Sequence, residues 1–252
     1  MVGQVGNDAH GIWLKENLAG VGVDVGHVRA HPDACSGVAA ITIDAQGQNQ
    51  IIIVAGANGC LGLNEIEQSG PLIAAAGQVL LQLEIPLPAA QAAAQLARQA
   101  GALVLLDPAP GRPLPDDLLS LVDYLTPNET ELMTLTGTPP GSLSVADAAG
   151  LARKLLARGV GKVIVKLGAR GALLVGAVGE HFWPAIPVQA VDSTAAGDAF
   201  NAGFAAALAR GASEQEAGCY ATATAAYSVQ HAGAQPSMPT PADVVLLLKD
   251  SR

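Results

Sequence analysis

The sequence predicts an α/β fold in which helices pack on a mainly parallel central sheet. From residue 78 onward, short apolar segments alternate with longer segments of helical periodicity, which is typical of parallel β-α units. Half of the 252 residues are hydrophobic but only 3% are aromatic, which favours an Ala-rich helical shell over an aromatic-rich β-sandwich. The length suits one sizeable α/β domain, so we expect residues 1–252 to form a single domain.

The expected elements follow in chain order. A strand-like segment at the N-terminus precedes a helix from Ala9 to Leu18, and residues 36–54 contain two β-rich runs that predict a hairpin around a polar turn at 44–48. The alternation then predicts strands at Gln78–Leu83, Leu103–Leu106, Tyr124–Thr126, Lys162–Leu167 and Ala172–Val175, and helices at Pro88–Gln99, Asp116–Val122, Glu129–Leu135, Asp198–Arg210, Ser213–Val229 and Pro241–Lys249. Ligands gather at the carboxyl ends of parallel strands, so the residues just after these strands are the first candidates for a site.

Charge and cysteine content exclude several classes of protein. The formal net charge of −9 argues against nucleic-acid binding, although helix N-termini, backbone amides and a metal can still hold a phosphorylated small molecule. Cys35, Cys60 and Cys219 form no CxxC pair, so we expect reduced, buried thiols and no disulfide or zinc site. The sequence has no targeting segment and no apolar stretch of about 20 residues, so we expect a cytoplasmic protein without membrane contact.

The strongest motif is a small-residue turn at 191–203 that runs directly into an Ala-rich helix. Backbone N–H groups of Ala195, Ala196 and Gly197 at the N-terminus of this helix can hold the charge on a transferred phosphoryl group. Asp198 can accept the proton of an attacking hydroxyl group, a role that contributes roughly 10²–10⁴ in rate. An Asp N-cap after a glycine turn has the same appearance, so a purely structural role stays open.

Two further motifs follow predicted strands. Asn128 and Glu131 have the spacing of a capping box, which is compatible with Asn128 near nucleotide phosphates and Glu131 near a magnesium-bound water. The segment between two apolar runs consists of Lys166, Leu167, Gly168, Ala169, Arg170 and Gly171. Such a Gly-flanked turn lets the backbone approach a nucleotide closely, but an ordinary hairpin uses the same residues.

Two carboxylates also follow apolar strands. Glu84 can accept hydrogen bonds from sugar hydroxyl groups, or it is a solvated acid at a strand end. Asp107, which precedes Pro108, can act in the same way, but we favour a structural role in a proline-rich turn. The five histidines lack metal-ligand spacing, and neither GxSxG nor GxxxxGK[ST] occurs, which argues against a zinc site, an acyl-transfer enzyme and a P-loop enzyme.

In combination, these motifs resemble the ribokinases of the PfkB carbohydrate kinase family. The residues that carry the resemblance are 192–198, 128–131, 166–171 and 233–237, with further similarity at 55–58 and 107–110. The joint pattern is far more specific than any single motif. The resemblance implies a three-layer α/β/α ribokinase-like domain with a small β lid, formed by the 36–54 hairpin, over the sugar.

The resemblance also implies an activity, namely phosphorylation of D-ribose at O5 by ATP with magnesium and potassium. Asp198 matches the general base, Glu84 a ribose ligand, and Asn128, residues 166–171 and Gly197 the nucleotide site. A monovalent cation would be surrounded by Asp192, Thr194, Ser228, His231, Gly233 and Ser237. His231 stands where arginine is common, and Thr222 where Asn or His often lies beside adenine. Ribokinases commonly pair through their lids, which implies a homodimer.

The sequence departs from the family pattern at its start. The family's first strand, with its Asn-x-Asp sugar ligands, and the following Gly-Gly-Lys-Gly-Ala-Asn segment have no counterpart, so we expect a chain truncated at the N-terminus. Two alternatives to a ribokinase therefore stay open. One is another PfkB-family kinase that acts on a different sugar or nucleoside. The other is a non-catalytic short form that binds nucleotide or a partner subunit.

Overall fold

The structure, a computed structural model, describes residues 1–43 and 49–250, so the turn expected at 44–48 lies outside the described residues. The chain forms two compact units, which we describe one at a time. The first contains Met1–Ala76 and Gln82–Ala100, and the second contains Gly77–Leu81 and Gly101–Arg252. No helix among the described residues is long and apolar enough to cross a membrane.

The first unit contains two small sheets and four helices within its described residues. Its elements are β1 (Val2–Gly6), α1 (Ala9–Gly20), β2 (His27–His31), β3 (Val38–Ile43), β4 (Asn49–Val54), α2 (Leu63–Gln68), α3 (Gly70–Ala74) and α4 (Leu87–Gln99). Strands β1 and β2 pair in parallel, and β3 and β4 pair antiparallel with Val38 opposite Val54. The predicted hairpin at 36–54 is therefore confirmed over its described strands.

The second unit is built on a six-stranded sheet of order β10-β9-β8-β7-β6-β5. Its elements are β5 (Gln78–Leu81), β6 (Leu103–Leu106), α5 (Asp116–Leu119), β7 (Tyr124–Leu125), α6 (Glu129–Leu135), α7 (Val145–Leu156), β8 (Lys162–Lys166), β9 (Gly171–Gly176), β10 (Gly179–Pro184), α8 (Ala196–Ala209), α9 (Glu214–Ser228) and α10 (Pro241–Asp250). Strands β5 to β8 are parallel, whereas β9 and β10 run antiparallel to their neighbours. The predicted, mainly parallel sheet is confirmed.

Helices cover both faces of this sheet. Ile164 of β8 packs in a buried cluster with Phe204 of α8 and Ala221 of α9. Its neighbours Val163 and Val165 are also fully buried, and α7 packs on β8 and β9. Because successive side chains of a strand point to opposite faces, α7 and the α8–α9 pair lie on opposite sides of the sheet. The second unit therefore has the three-layer α/β/α architecture that was predicted.

Some details of the prediction were wrong. Strand β5 ends at Leu81 rather than residue 83, and α5 ends at Leu119 rather than residue 122. Elements β2, β10 and α7 were not predicted, although Ser144 and Asp147 form a capping box at the start of α7. The three cysteines are free as expected but are exposed rather than buried, because they lie in loops or on outer helix faces instead of on the sheet.

Candidate active site

Polar side chains lie at the carboxyl ends of three neighbouring parallel strands. Asp107 directly follows β6, and its N–H donates to the Leu81 carbonyl at the end of β5, 2.8 Å away. Lys166 is the last residue of β8, and it forms an isolated parallel bridge with Asn128, which follows β7. The sheet thus aligns Asp107, Asn128 and Lys166 along one edge. This agrees with the expectation that ligand-binding residues follow the strands.

A buried ion pair links two of these strand ends. The Nζ atom of Lys166 lies 2.6 Å from Oδ2 of Asp107, and their side chains are only 14% and 11% exposed. Asn201 of α8 donates from Nδ2 to the same Oδ2 atom, also at 2.6 Å. The carboxylate of Asp107 therefore joins the sheet edge to α8, a contact beyond its proline-rich turn.

Two acceptor atoms of this group have no partner among the described residues. Both Oδ1 of Asp107 and Oδ1 of Asn201 are buried without a hydrogen bond. Buried acceptors are ordinarily satisfied, so these atoms mark a place where a donor group or cation belongs. The Nζ atom of Lys166 also lies against α8, since a Cβ atom on Gly197 would be 3.1 Å from it. Glycine at residue 197 therefore leaves room for the lysine.

Helix α8 begins with an unusual backbone conformation. Ala195, its N-cap residue, has φ 59° and ψ 14°, and it is the only non-glycine residue with positive φ in the described part of the chain. A left-handed alanine costs roughly 1–2 kcal/mol, and such strain occurs mainly at functional sites. The conformation turns the chain sharply into α8. Asp198 is the third residue of the helix, so the alternative that it is a plain N-cap was wrong.

The predicted anion hole at 195–197 has one amide that is engaged within the turn. The N–H of Ala196 donates to the carbonyl of Ser193 over 3.2 Å. The first N–H groups of any α-helix lack intrahelical acceptors, so those of Ala195 and Gly197, on either side of the engaged amide, can be offered to an anion. Ala196 and Gly197 both line the adjacent cavity.

Asp198 lies in an environment that favours its protonated form. Its side chain reaches solvent, yet desolvation by nearby protein atoms raises the pKa of its carboxyl group above the ordinary value. The negative charge of Asp107 raises this pKa further, whereas the ammonium group of Lys166 lowers it. A carboxylate with a raised pKa is a stronger base, and this suits a group that accepts a proton from a hydroxyl.

Asn128 and Glu131 form the predicted capping box at the start of α6. Glu131 accepts from the backbone N–H of Asn128 at 2.8 Å and from its side-chain amide at 2.9 Å, while its own N–H donates to Asn128 Oδ1 at 2.8 Å. Burial raises the pKa of the Glu131 carboxyl group, and Lys166 and the capping bond oppose that effect. Each carboxylate oxygen has a second lone pair, so a metal-bound water can be held there as well.

A cavity of about 520 Å³ opens beside this group. Its walls are mainly apolar, and its lining residues are Asn128, Lys166, Gly168, Ala169, Gly171, Ala185, Ile186, Pro187, Val188, Ala190, Ser193, Ala196, Gly197, Phe200, Thr222, Ala225, Ala226 and Val229. The volume lies within the range of small-molecule and cofactor sites. Strand ends and the N-terminus of α8 therefore meet at the mouth of a pocket of nucleotide size.

The turn at 166–171 contributes to the cavity through part of its length. Leu167 is buried in the core, and Arg170 donates to Glu129 at 2.5 Å and to the carbonyl of Leu143 at 2.8 Å, so neither side chain lines the cavity. Gly171 has φ +114°, and a Cβ atom there would lie 2.0 Å from the carbonyl oxygen of Trp183. The backbone at this position accepts only glycine.

The six residues predicted to surround a monovalent cation form two hydrogen-bonded groups of three. Asp192 accepts from the N–H groups of Thr194, at 2.9 Å, and Gly233, at 2.8 Å, and these bonds lower the pKa of its carboxyl group. The buried hydroxyl groups of Ser228 and Ser237 lie 3.2 Å apart, and the His231 N–H donates to the Ser228 carbonyl at 3.0 Å. Carbonyl, hydroxyl and carboxylate oxygens are the donors that an alkali cation takes.

Glu84 and Thr222 are the remaining candidates, one in each unit. Glu84 is exposed in the first unit, between β5 and α4, and its N–H donates to the Gln82 side chain. Thr222 lines the cavity, and its hydroxyl donates to the Gly218 carbonyl of its own helix at 2.8 Å. Among the described residues, no group of three or more His, Cys, Asp and Glu side chains could hold a metal ion.

The sequence pattern of the pfkB family carbohydrate kinases matches residues 1–241. The chain belongs to this family. It is therefore a carbohydrate kinase, a phosphotransferase. A ribokinase from Haemophilus influenzae is 39% identical over 239 residues, which cover 94% of this chain and 76% of the relative.

Solved structures of pfkB-family kinases agree with this assignment. An Arabidopsis thaliana ribokinase complexed with ribose and ATP has a TM-score of 0.90 and 39% identity, and the match covers 98% of this chain and 81% of that one. A Thermotoga maritima ribokinase has a TM-score of 0.87 and 38% identity, with 98% of this chain and 80% of that chain covered. These matches confirm the predicted ribokinase-like fold.

Asn201 of this polar group was missed by sequence reasoning, and the ion pair of Asp107 was not foreseen. Asn201 follows Asp198 by three residues on α8, and helical spacing places two such residues on one face. That spacing was the available signal. Asp107 was assigned to its turn because the ion pair with Lys166 joins residues 59 positions apart, which no local pattern reveals.

Proposed function

We propose that this pfkB-family kinase phosphorylates D-ribose at O5 with ATP and yields D-ribose 5-phosphate and ADP. The observation that carries the proposal is the position of Asp198. It is a carboxylate of raised pKa in the first turn of α8, next to a cavity of nucleotide size. The ribokinase relatives, one of them solved with ribose and ATP, support ribose as the sugar.

The proposed step is a displacement at the γ-phosphorus of ATP. Asp198 accepts the proton of the ribose 5-hydroxyl as its oxygen attacks the phosphorus and a new O–P bond forms. The bond between the γ-phosphorus and the β–γ bridging oxygen breaks, and its electron pair leaves with ADP. The N–H groups of Ala195 and Gly197 at the start of α8 hold the charge on the transferred phosphoryl group, and that of Ala196 joins them when its bond to the Ser193 carbonyl is released.

The nucleotide is proposed to occupy the cavity, with Asn128, the 166–171 turn and Gly197 on its phosphate side. The apolar walls from Ala185 to Val188 would then lie against the nucleoside. Thr222 is on this apolar side, but its hydroxyl group already donates to its own helix. Binding of the base would therefore depend mainly on shape and apolar contact.

Two ions are proposed to assist. Glu131, held by Asn128, would bind a water ligand of Mg²⁺, since oxygen ligands and retained waters suit this ion. Asp192, Thr194, Ser228, His231, Gly233 and Ser237 would surround K⁺, in keeping with the oxygen donors that their hydrogen bonds bring together. When bound, these ions would neutralise phosphate charge and order the turn before α8.

Glu84 is proposed as a ribose ligand because an exposed carboxylate accepts hydrogen bonds from sugar hydroxyl groups. A Glu84→Gln variant should raise the KM for ribose and leave the KM for ATP unchanged. An equal change in both constants would remove Glu84 from the sugar site.

The proposed function is tested by ADP production from the purified chain with ATP, Mg²⁺ and K⁺, with and without D-ribose. Ribose-dependent ADP is expected, and 2-deoxyribose and a nucleoside serve as competing acceptors. Faster turnover of a competing acceptor would favour another sugar or nucleoside kinase. ATP binding without turnover on any acceptor would favour a non-catalytic role. An Asp198→Asn variant should bind ATP normally and lose turnover, whereas normal turnover would overturn the assignment of the base.

We also propose the β3–β4 hairpin as the lid within a single ribokinase-like domain and as the surface for a cytoplasmic homodimer. Val38, Ile52, Ile53 and Val54 of the hairpin are each about half exposed, which is costly for a small sheet without a partner. Light scattering at several protein concentrations tests the dimer. A mass of one chain at all concentrations would contradict it.

A further inference from the structure

The ion pair of Lys166 and Asp107 is deeply buried, which a purely structural ion pair does not require. Both side chains are less than 15% exposed, and the pair joins the ends of β6 and β8. Taking two charges out of water costs several kcal/mol per ion, and the attraction between them offsets this only in good geometry. The strands themselves are already joined through β7 by backbone hydrogen bonds. Stabilisation of the fold therefore does not explain why this ion pair is buried here.

The ammonium group of Lys166 retains capacity for a second, anionic partner. A lysine ammonium group has three N–H donors, and Asp107 is the one hydrogen-bonding partner of the Lys166 ammonium group among the described residues. Lys166 also lines the cavity, and its Nζ atom lies against the backbone of Gly197 in the first turn of α8. The unused N–H donors of the Lys166 ammonium group therefore lie beside the N-terminal N–H groups of α8.

Asp107 and Asn201 fix the position of this ammonium group. A single oxygen, Oδ2 of Asp107, accepts from both Lys166 and Asn201 at 2.6 Å. Asn201 lies one helical turn after Asp198 on α8, so the same helix that carries the base also sets the position of the lysine. Movement of Lys166 relative to Asp198 would break one of these two bonds.

Lys166 is the cation whose charge acts on Asp198 among the described residues. The same ammonium group also acts on Glu131 and is paired with Asp107. One ammonium group thus interacts with three carboxylates. The carboxylates would repel an incoming phosphate. The ammonium group of Lys166 would offset this repulsion by attracting the phosphate.

We propose that Lys166 is a catalytic residue that binds the phosphoryl group during its transfer, and that Asp107 and Asn201 are positioning residues for its ammonium group. This inference rests on the proposed function, because it assigns the phosphoryl group to the N-terminus of α8. A preorganised cation in a site of low dielectric stabilises the charge of a transferring phosphoryl group without reorganisation.

The primary test is a Lys166→Met variant, which keeps the length of the side chain and removes the charge. Its kcat should fall by roughly 10²–10³, the usual loss when one transition-state donor is removed, while the KM for ribose stays close to that of the unmodified chain. Calorimetry should show that the preference for ATP over ADP falls by about 10-fold or more, because ADP lacks the phosphoryl group that Lys166 contacts.

A double variant separates catalysis from charge neutralisation. Lys166→Met alone leaves Asp107 buried without its counter-ion and is expected to lower stability. Lys166→Met with Asp107→Asn removes both charges, so stability should recover while kcat stays low. Recovery of kcat together with stability would overturn the proposal, because Lys166 would then serve only to neutralise Asp107. Lys166→Arg should retain part of the activity.

The positioning role of Asp107 is tested separately, by the kcat of an Asp107→Asn variant. Asp107→Asn keeps the size of the side chain but weakens its hold on Lys166, so kcat should fall by about 10-fold with little change in the KM for ribose. Unchanged kcat would remove Asp107 from the site. If the unmodified chain shows no ribose-dependent turnover, the proposed function fails, and the ATP-to-ADP affinity ratio of Lys166→Met still decides whether Lys166 contacts the terminal phosphate.

Discussion

The indole ring of Trp183 lies directly against the Cα atom of Gly218. A Cβ atom at residue 218 would be 1.9 Å from Cε2 of the ring, which is far inside van der Waals contact. Trp183 is buried, and its Nε1–H donates to the carbonyl of Gln215 at 3.1 Å in the same helix, α9. Edge contacts with Phe204 of α8 hold the ring from another side. The Trp183 ring therefore cannot move away from residue 218 without losing these contacts.

A Gly218→Ala variant should consequently be destabilised. Overpacking of a filled core costs typically about 1–3 kcal/mol, and the tight contact with Trp183 places this substitution at the upper end. The matched control is Gly150→Ala in α7, where a Cβ atom meets nothing within 4 Å. That substitution should stabilise by roughly 0.5–1 kcal/mol, since alanine favours helix over glycine. Urea denaturation measures both, and equal effects would contradict the packing described for Trp183.

The raised pKa of Asp198 predicts a dependence of both activity and stability on pH. The rate constant kcat/KM should fall on the acid side with an apparent pKa above the ordinary value of 3.8. Because the folded-state pKa is raised, ionisation of Asp198 opposes folding, and this cost is present above the folded-state pKa. Asp198→Asn should therefore raise the Tm at neutral pH, and the gain should shrink as the pH falls through the folded-state pKa and vanish below the ordinary value of 3.8.

Asp147→Asn provides the control of opposite sign. Hydrogen bonds from Ser144 lower the pKa of Asp147, so its charge supports folding at neutral pH. The Asn variant should lower the Tm there, and the loss should shrink as the pH falls through 3.8. A lower Tm for Asp198→Asn at neutral pH would contradict the environment described for the base.

Asp8 should make the first unit sensitive to acid. Its carboxylate caps α1 through the N–H of Gly11 at 2.8 Å and accepts from the N–H and hydroxyl groups of Ser36, each at 2.7 Å. These bonds, those from Ser36 foremost, lower the pKa of Asp8 from 3.8 to about 2. The stability that Asp8 contributes is therefore present above pH 3.8 and is lost as the pH falls towards 2.

The measurement for Asp8 is hydrogen exchange of the β1 and α1 amides as a function of pH. Exchange should accelerate in this acid window in the unmodified chain, after correction for the intrinsic rate. An Asp8→Asn variant should already exchange faster at neutral pH. Equal protection of the two proteins at neutral pH would show that the hydrogen bonds to Ser36 do not hold this junction.

The capping box of Asn128 should have two separable roles. Asn128→Ala removes an N-cap and should cost about 0.5–2 kcal/mol of stability. It should also raise the KM for ATP, because Asn128 lines the cavity. Ser144→Ala removes the equivalent cap of α7 and should cost a similar amount without any change in the KM for ATP. A raised KM in both variants would mean that the effect at Asn128 is only structural.

The sequence was informative wherever a feature is local. The strand Leu103–Leu106, the helix Glu129–Leu135 and the capping box within that helix were predicted at their observed positions, because periodicity and capping depend on neighbouring residues. Strand β10 was missed because Gly179–Pro184 is a short edge strand without regular alternation of polar and apolar residues, and its pairing with β9 decides its conformation.

Contacts between distant residues were the main source of error at the site. The left-handed conformation of Ala195 is not expected for alanine, and only the surrounding structure imposes it. The ion pair of Lys166 with Asp107 and the bond from Asn201 bring together β8, the end of β6 and α8. Motif reasoning placed Lys166 in a nucleotide-binding turn and could not show what its side chain touches.

Asp107, Asn128 and Lys166 lie at the ends of three adjacent strands, so the sheet fixes the spacing between them. Neighbouring strands are held about 4.8 Å apart by their backbone hydrogen bonds, so the three positions span roughly 10 Å whatever side chains they carry. Other side chains at these positions would be attached to the backbone with the same spacing. Because Asp107 and Lys166 form a buried ion pair, the side chains at 107 and 166 would have to be exchanged together, whereas the backbone spacing of the three positions would stay the same.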